Sequence, residues 1–326
     1  MKWLITGGCG FIGLSLVKNL LADTNNKIII LDNLTVGTKH DLAQICKFEE
    51  IDPQNIKYSD SLVQFVQGDI LDADLVKKLS KDVEIIVHLA ANTGVAPSVD
   101  NPRMDCENNV IGTFNVLEAA RTQNVLRVVF ASSGAPIGEV SPPIHEELAP
   151  HPVSPYGASK LAGEGYCSAY YRTFGVDTVV LRFGNVYGPG SAHKSSVVAK
   201  FIKRAMDAKP LEIYGDGSQT RDFIYIDDLI KAINKAARVS GVGGEIFQIA
   251  TNKETTVSEI SMLIIDSLKE NNILPVGIEL SPFRLGDVQR NFSDTSKAKK
   301  LLGWRAETSL KTGINLTVRD FINEKI

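Results

Sequence analysis

The chain has 326 residues, 44% of them apolar and 22% charged, values ordinary for a globular protein and far from those of disordered or fibrous chains. Its net charge of −3 gives no electrostatic footprint for a nucleic-acid backbone or an anionic membrane surface. No stretch approaches the roughly 20 apolar residues of a membrane span, and Cys9, Cys46, Cys106 and Cys167 have the spacing of neither a disulfide framework nor a zinc site.

The opening MKWLITGG enters a strand almost at once, without the basic and apolar regions of a signal peptide, so a cytoplasmic protein with no bound metal is expected. Short apolar runs then alternate with helix-period segments through residue 185. Strands are predicted near Lys2 to Ile5, Lys27 to Leu31, Val63 to Gly68, Ile85 to Leu89, Val128 to Ala131 and Thr178 to Phe183. Helices are predicted over Phe11 to Ala22, His40 to Phe48, Asp72 to Leu79, Asn108 to Arg121 and Pro155 to Phe174. This is the pattern of an α/β, doubly wound parallel sheet of the Rossmann type. After Gly188-Pro189-Gly190 the texture changes. Helical segments at Val197 to Ala208, Asp228 to Arg238, Val257 to Asn271 and Asp294 to Leu302 are separated by brief strands, which suggests a smaller α+β lobe. The expected division is a dinucleotide-binding domain over 1–188, with returning segments from about 220–250, and a lobe mainly over 189–326. Thr256 and Glu259 read as a capping box.

Thr6-Gly7-Gly8-Cys9-Gly10-Phe11-Ile12-Gly13 joins the first strand to the first helix. In that context Gly7 suits a tight turn, Gly10 lets backbone approach a pyrophosphate, and Gly13 lets helix and sheet pack closely. The helix N-terminus, with the amides around Phe11 and Ile12, then holds phosphate without a lysine. Asp32 ends the second strand, where a carboxylate accepts hydrogen bonds from the adenosine ribose and repels a 2′-phosphate, so the expected cofactor is NAD.

Ser154-Pro155 opens a helix on which Tyr156 and Lys160 fall four residues apart, on one face. A tyrosine acting as base at pH 7 needs its pKa lowered by about three units, or roughly 4 kcal/mol, and the Lys160 ammonium together with a positive nicotinamide ring are suited to that. Ser133 follows a strand at the sheet's carboxyl edge and is placed to donate to a substrate oxygen. His88 reads as a structural histidine.

GGCGFIG, DNL, GDI, HLAA, NVIGT, SSGAPIG, SPYGASK, LRFGNVYGPG, YGDGSQTRDFIYIDD and RLGDV occur in the order and spacing of the extended short-chain dehydrogenase/reductase family. Over nearly the whole chain the sequence resembles its nucleotide-sugar epimerases and dehydratases, and most of all the UDP-glucose and UDP-N-acetylglucosamine 4-epimerases. The resemblance implies a catalytic set of Ser133, Tyr156 and Lys160. It implies NAD contacts from Asp32 and Asn33, from Asp69 and Ile70 at the adenine, from Leu89, Ala90 and Ala91 at the pyrophosphate and ribose, and from Tyr156 and Lys160, the latter holding the nicotinamide ribose, with Asn108 contributing to the cofactor site and buttressing it behind Tyr156. Thr93, Asn185, Arg221, Arg284, Asp287 and Asn291 are implied to bind a nucleotide-diphosphate sugar, and homodimerisation through the Asn108 and Tyr156 helices is the family expectation. Two departures bear on the reaction. Where dehydratases carry an Asp-Glu pair after the Ser or Thr, this chain has Gly134 and Ala135, which disfavours elimination. Asn291 stands where some glucose-restricted epimerases carry a bulky Tyr, which leaves room for an N-acetyl group. The rival expectations are epimerisation or decarboxylation of a UDP-uronic acid, 4-keto reduction, 4,6-dehydration, and a non-catalytic NAD-binding regulator.

Overall fold

The computed structural model describes residues 1–274, 276–282 and 288–325. The chain forms two compact units: Met1–Gly138 with Leu148–Arg182 and Ile233–Phe247, and Glu139–Glu147 with Phe183–Ala232 and Gln248–Ile326.

The first unit is built on β1 (Lys2–Thr6), β2 (Lys27–Asp32), β3 (Glu49–Glu50), β4 (Val63–Gln67), β5 (Ile85–His88), β6 (Arg127–Ser133) and β7 (Thr178–Phe183). With a strand at Ile246–Ile249 they make one eight-stranded sheet, in the spatial order Ile246–Ile249, β7, β6, β5, β1, β2, β4, β3. The pairs of β1 with β2 and β5, of β4 with β2 and β3, and of β5 with β6 are parallel, and Trp3 lies opposite both Ile28 and Ile85. Ile28, Ile29, Ile30 and Leu31 are each no more than 1% exposed, so β2 is covered on both faces, as its unbroken apolar run demands. The chain order reverses direction across the sheet at β1, between β2 and β5. Sheets of this kind bind ligands at that crevice, beyond the strands' carboxyl ends.

The helices of this unit are α1 (Phe11–Leu20), α2 (Lys39–Ile45), α3 (Ala73–Leu79), α4 (Val95–Asp100), α5 (Pro102–Cys106), α6 (Gly112–Gln123) and α7 (Pro155–Phe174). Ser154 caps α7 by accepting from the Gly157 amide at 3.1 Å, with Pro155 at the first helical position, and Gly175 ends the helix at φ +70°. The helix expected over Asn108 to Arg121 is interrupted. Glu107–Ile111 is a π-helical turn, in which the Gly112 amide bonds the Glu107 carbonyl five residues back, and α6 begins only after it. Such turns leave no mark in apolar periodicity, because one extra residue shifts the face without changing residue types.

In the second unit, α8 (Val197–Met206), α9 (Ile226–Arg238, whose later turns belong to the first unit), α10 (Val257–Glu270) and α11 (Leu310–Lys325) accompany short strand pairs. Asn185–Tyr187 runs parallel to Phe223–Tyr225, Leu211–Tyr214 runs parallel to Ile278–Ser281, and Thr220–Arg221 is antiparallel to Thr255–Thr256. The Thr256 capping box forms as expected, with the Thr256 amide donating to Glu259 at 2.7 Å. The segment expected to be helical over Asp294 to Leu302 narrows to a turn ending in the π-helical Ala298–Leu302, and α11 was not anticipated.

Candidate active site and dinucleotide loop

The loop after β1 is packed against the turn after β5. A Cβ at Gly7, which has φ +70°, would sit 2.7 Å from the Ala90 amide nitrogen, and one at Gly13 would sit 2.4 Å from the Gly7 carbonyl oxygen. Both positions are glycine because the protein's own backbone fills the space. Gly10 is different. A Cβ there meets only the Gly7 oxygen, at 3.4 Å, and Gly10 as N-cap of α1 has the ordinary φ of −75° with no side chain capping the helix. The fold does not demand glycine at this place, so the glycine keeps room for a group from outside the chain. An uncapped helix N-terminus facing that room suits a pyrophosphate.

Asp32 is 8% exposed, and its carboxylate accepts from the amides of Cys9 (2.9 Å) and Leu34 (2.8 Å). Burial pushes this carboxyl upward and the two amide donors pull it back. Two of its lone-pair directions remain for a ribose diol. Asn33 donates its amide to Asp69 (2.9 Å), whose other oxygen accepts from the Leu71 amide (2.9 Å). Ile70 is buried and lies against Gly112. Leu89, Ala90 and Ala91 are half-buried, and the amides of the first two bond the carbonyl and hydroxyl of Thr6 at 3.1 and 3.3 Å. Gly7, Gly10, Phe11, Ile12, Asp32, Asn33, Asp69, Ile70 and Leu89 to Ala91 thus all belong to the first unit, and what they offer fits NAD. Cys9, within the loop, is held as a thiol near pKa 12 by burial and then by Asp32.

Tyr156 lies in the first turn of α7, and the Ser133 hydroxyl at the end of β6 hydrogen-bonds its phenol. Ser133 also accepts from the Ala135 amide at 3.2 Å. Lys160, one turn along, is 3% exposed; its ammonium donates to the Ala131 carbonyl at 2.9 Å and lies 5.0 Å from the Phe130 ring centroid and 6.0 Å from that of Tyr156. Ser133, Tyr156 and Lys160 are therefore brought together, but their electrostatics differ from expectation. Burial pushes Tyr156 up to about 12 against the Ser133 hydrogen bond, with Asp105 adding to the rise. Burial also pulls Lys160 down to about 8, opposed by Asp105 and then Glu164. In the protein alone desolvation dominates Tyr156, and the lowering it receives comes from Ser133.

The buttress behind Tyr156 is Asn109, which corrects the expectation of Asn108. The π-helical turn rotates Asn108 so that its amide donates to the Met104 carbonyl at 2.9 Å. The Asn109 amide is buried within 2.9 Å of both the Asn92 carbonyl and Asp105 and 3.1 Å from the Ser159 hydroxyl, and its oxygen accepts from the Asn92 amide at 2.8 Å. Ser159 in turn donates to the Tyr156 carbonyl at 3.1 Å.

His88 joins this network to the loop. The Thr113 hydroxyl donates to the Asn109 carbonyl at 2.6 Å, so it accepts from His88 Nε2 at 3.0 Å, and Nδ1 accepts from Thr6 at 2.7 Å. Burial, then the charge of Lys160, holds the imidazole neutral, near pKa 3.

Sequence reasoning missed Glu164, although Tyr156, Lys160 and Glu164 recur every four residues on one helix face. Its carboxylate, 3% exposed, takes both Nε and Nη2 of Arg182 (2.8 and 2.7 Å) and the Ser132 hydroxyl (2.5 Å). This clasp ties α7 to β6, the strand that ends in Ser133, and to its neighbour β7. Glu164→Gln leaves Arg182 buried without its counter-ion, so unfolding measured by denaturant should show a loss of about 3–5 kcal/mol.

Thr93 is exposed, just before α4 in the first unit. Of the other expected sugar-nucleotide residues, Asn185, Arg221 and Asn291 belong to the second unit. Asn185 is exposed, with its amide on the Asp222 carbonyl at 2.8 Å. The Arg221 guanidinium is anchored through Nη1 to the carbonyls of Thr220 (2.7 Å) and Val288 (2.6 Å). Asn291 is half-buried, its amide on the Thr220 hydroxyl at 3.3 Å. Arg284 and Asp287 lie outside the described residues. Asp222, unremarked in the sequence, binds the amides of Thr251, Asn252 and Ser293 and the Thr251 hydroxyl, and so gathers the loops beside Arg221. Among the described residues no cluster of three metal-ligating side chains occurs, and no helix is long and apolar enough to cross a membrane.

Residues 3–250 match the model of the NAD dependent epimerase/dehydratase family. A putative UDP-glucose 4-epimerase of Methanocaldococcus jannaschii is 40% identical over 97% of this chain and 96% of its own length. The crystal structure of the UDP-glucose 4-epimerase of Thermotoga maritima with UDP-glucose superposes with a TM-score of 0.88, at 32% identity over 100% of both chains. The UDP-glucuronic acid 4-epimerase of Bacillus cereus, solved with UDP-glucuronic acid and NAD, gives a TM-score of 0.87 at 30% identity over 99% of this chain and 100% of that one.

Proposed function

This chain belongs to the NAD-dependent epimerase/dehydratase family, and on that footing we propose that it inverts C4 of a nucleotide-diphosphate hexose, UDP-glucose and UDP-galactose or their N-acetyl forms, through a 4-keto intermediate. The observation that carries this is the Ser133, Tyr156 and Lys160 set standing with Gly134 and Ala135 beside it. The set provides for moving a proton at a sugar hydroxyl. The two small residues provide no acid to expel a neighbouring hydroxyl, so the chemistry stops at oxidation and return.

When bound, NAD accepts and returns the hydride at C4, and its oxidised ring favours the phenolate of Tyr156. The loop at Gly7 to Gly13, with Asp32, Asn33, Asp69, Ile70 and Leu89 to Ala91, would hold it. Tyr156 takes the proton of the 4-hydroxyl and returns it to the same oxygen once the keto sugar has turned to present its other face for hydride return, while Ser133 holds the sugar oxygen in line. Arg221 suits the diphosphate, because a guanidinium already fixed on two backbone carbonyls keeps its orientation. Asn291, small for its place, supports acceptance of an N-acetyl group. Four free cysteines fit a reducing cytoplasm.

The test is incubation of the purified protein with UDP-glucose, UDP-N-acetylglucosamine and UDP-glucuronate, with products resolved by NMR. C4 inversion of one of the first two is expected. Inversion of UDP-glucuronate alone would replace the substrate with a uronic acid, and loss of water would replace the reaction with dehydration.

We also propose a homodimer through α6 and α7, whose Phe114, Tyr166 and Phe174 are 37%, 39% and 53% exposed, the first two in edge-to-face contact at 5.8 Å. Phe114→Glu should turn the dimer into a monomer by sedimentation velocity. A wild-type monomer would overturn the proposal.

A further inference from the structure

Phe130 on β6 is 1% exposed, and three groups converge on its ring. The Lys160 ammonium stands over it, 5.0 Å from the centroid, and the His88 ring lies 5.8 Å away with a tilt of 30°. Gly163 meets its tip: a Cβ there would sit 2.5 Å from the Phe130 Cζ. Lys160 and Gly163 are one turn apart on α7, so one face of that helix offers an ammonium and bare backbone to the same ring.

The glycine is informative. Within a 20-residue helix it weakens the element relative to alanine, and it makes room for the ring. An alanine on α7 facing a leucine or valine on β6 would fill this part of the core without that weakness. What a phenyl ring has and an aliphatic side chain lacks is a negative π-face. The group standing over that face is a buried cation.

The donors of Lys160 point the same way. One N–H of the ammonium is spent on the Ala131 carbonyl at 2.9 Å, its hydrogen-bond acceptor among the described residues. Lys160 is 3% exposed, so little water reaches the remaining N–H groups. An aromatic face within about 6 Å attracts a cation most strongly when the cation is desolvated.

We propose that Phe130 is a positioning residue for Lys160: its ring face, through a cation–π contact, keeps the ammonium charged and seated beside the Ala131 carbonyl, with an N–H left for a hydroxyl of the bound cofactor. The proposal rests on the functional reading above for its meaning but not for its test. Burial draws Lys160 down to about 8. The ring opposes that pull, so weakening its face lowers the midpoint further, and less of the ammonium survives above neutral pH. The charged and titratable groups facing Lys160 are Tyr156, Glu164 and Cys167 on its own helix, Asp105 on α5 and His88 on β5. All of them stay as they are when only the ring is changed.

The experiment uses the purified full chain carrying 2-fluoro- or 2,6-difluorophenylalanine at position 130, introduced by codon suppression, with lysines labelled at Nζ with 15N. The Lys160 signal is identified by its loss in Lys160→Met. Fluorine draws charge out of the π-face while nearly keeping the size of the ring, and these ring positions are away from the Cζ that meets Gly163. The Lys160 midpoint is expected near pH 8 in wild type, lower with one fluorine and lower again with two. In Phe130→Leu it should fall by about half a pH unit or more. Should the Leu variant not fold, the fluorinated proteins decide alone. The alkaline limb of the C4-inversion profile should move acidwards in the same order, whereas a ring that only fills space would leave that limb in place. Midpoints that stay level through the fluorinated series overturn the proposal. If wild type inverts no nucleotide sugar, the functional reading fails while the NMR midpoints still decide this one.

Discussion

Tyr156→Phe should lower the turnover for C4 inversion by about 10³-fold while leaving the melting temperature unchanged, a loss of the size general acid–base groups confer. The reason lies in how unfavourably the phenol is placed. Its burial pushes the pKa up to about 12, so making the phenolate at pH 7 requires about 7 kcal/mol of differential stabilisation. The Ser133 hydroxyl supplies part of this, and the Lys160 ammonium stays on the Ala131 carbonyl, 6.0 Å from the ring centroid. Desolvation that makes the phenol hard to ionise also makes the phenolate a strong base once formed. Full activity in the Phe variant, measured by coupled assay or by NMR of the sugar C4 proton, would remove Tyr156 from the mechanism.

The second large effect separates two glycines of one loop. Gly13→Ala forces a methyl to 2.4 Å from the Gly7 oxygen and 2.6 Å from the Gly8 Cα, contacts with backbone that cannot rotate away. The expected cost is on the order of 3 kcal/mol, visible as a melting temperature several degrees lower even without cofactor. Gly10→Ala meets only one atom, at 3.4 Å, in a conformation alanine adopts freely. Its melting temperature should match wild type while NAD affinity by calorimetry falls about tenfold or more, equivalent to about 1.4 kcal/mol. Equal NAD affinity in Gly10→Ala and wild type would show that the room beside Gly10 is not where the pyrophosphate lies.

The strands were legible because each is a short apolar run with nothing else it can become. Lys27–Asp32 and Thr178–Phe183 fall where the pattern puts them, within a residue at either end. The loop, Asp32 and the Tyr156 helix were legible for a similar reason: glycine spacing, a capping serine and a proline at the first helical position are local signals. What escaped was decided at a distance. Asn109 takes the place expected for Asn108 within one π-helical turn, where it reaches the Ser159 hydroxyl on α7. Glu164 and Asp105 carry no local signal in the sequence, and only the strands and helices closing over them bury them. The rise of Tyr156 in the protein alone was not legible, because desolvation cannot be counted until the walls of the site are known.

The edge strand Ile246–Ile249 carries a consequence for how the protein is made. It pairs beside β7 but is translated more than 60 residues later, after most of the second unit's first long segment. At about 5–20 residues per second, β7 waits on the order of several seconds at the ribosome with an open row of amides and carbonyls. The opposite edge closes early and is blunted by the two acidic residues of Glu49–Glu50. Vulnerability during synthesis is therefore one-sided. A chain ending near residue 188 would keep that apolar edge bare permanently, and should accumulate in inclusion bodies where the full-length chain stays in the supernatant.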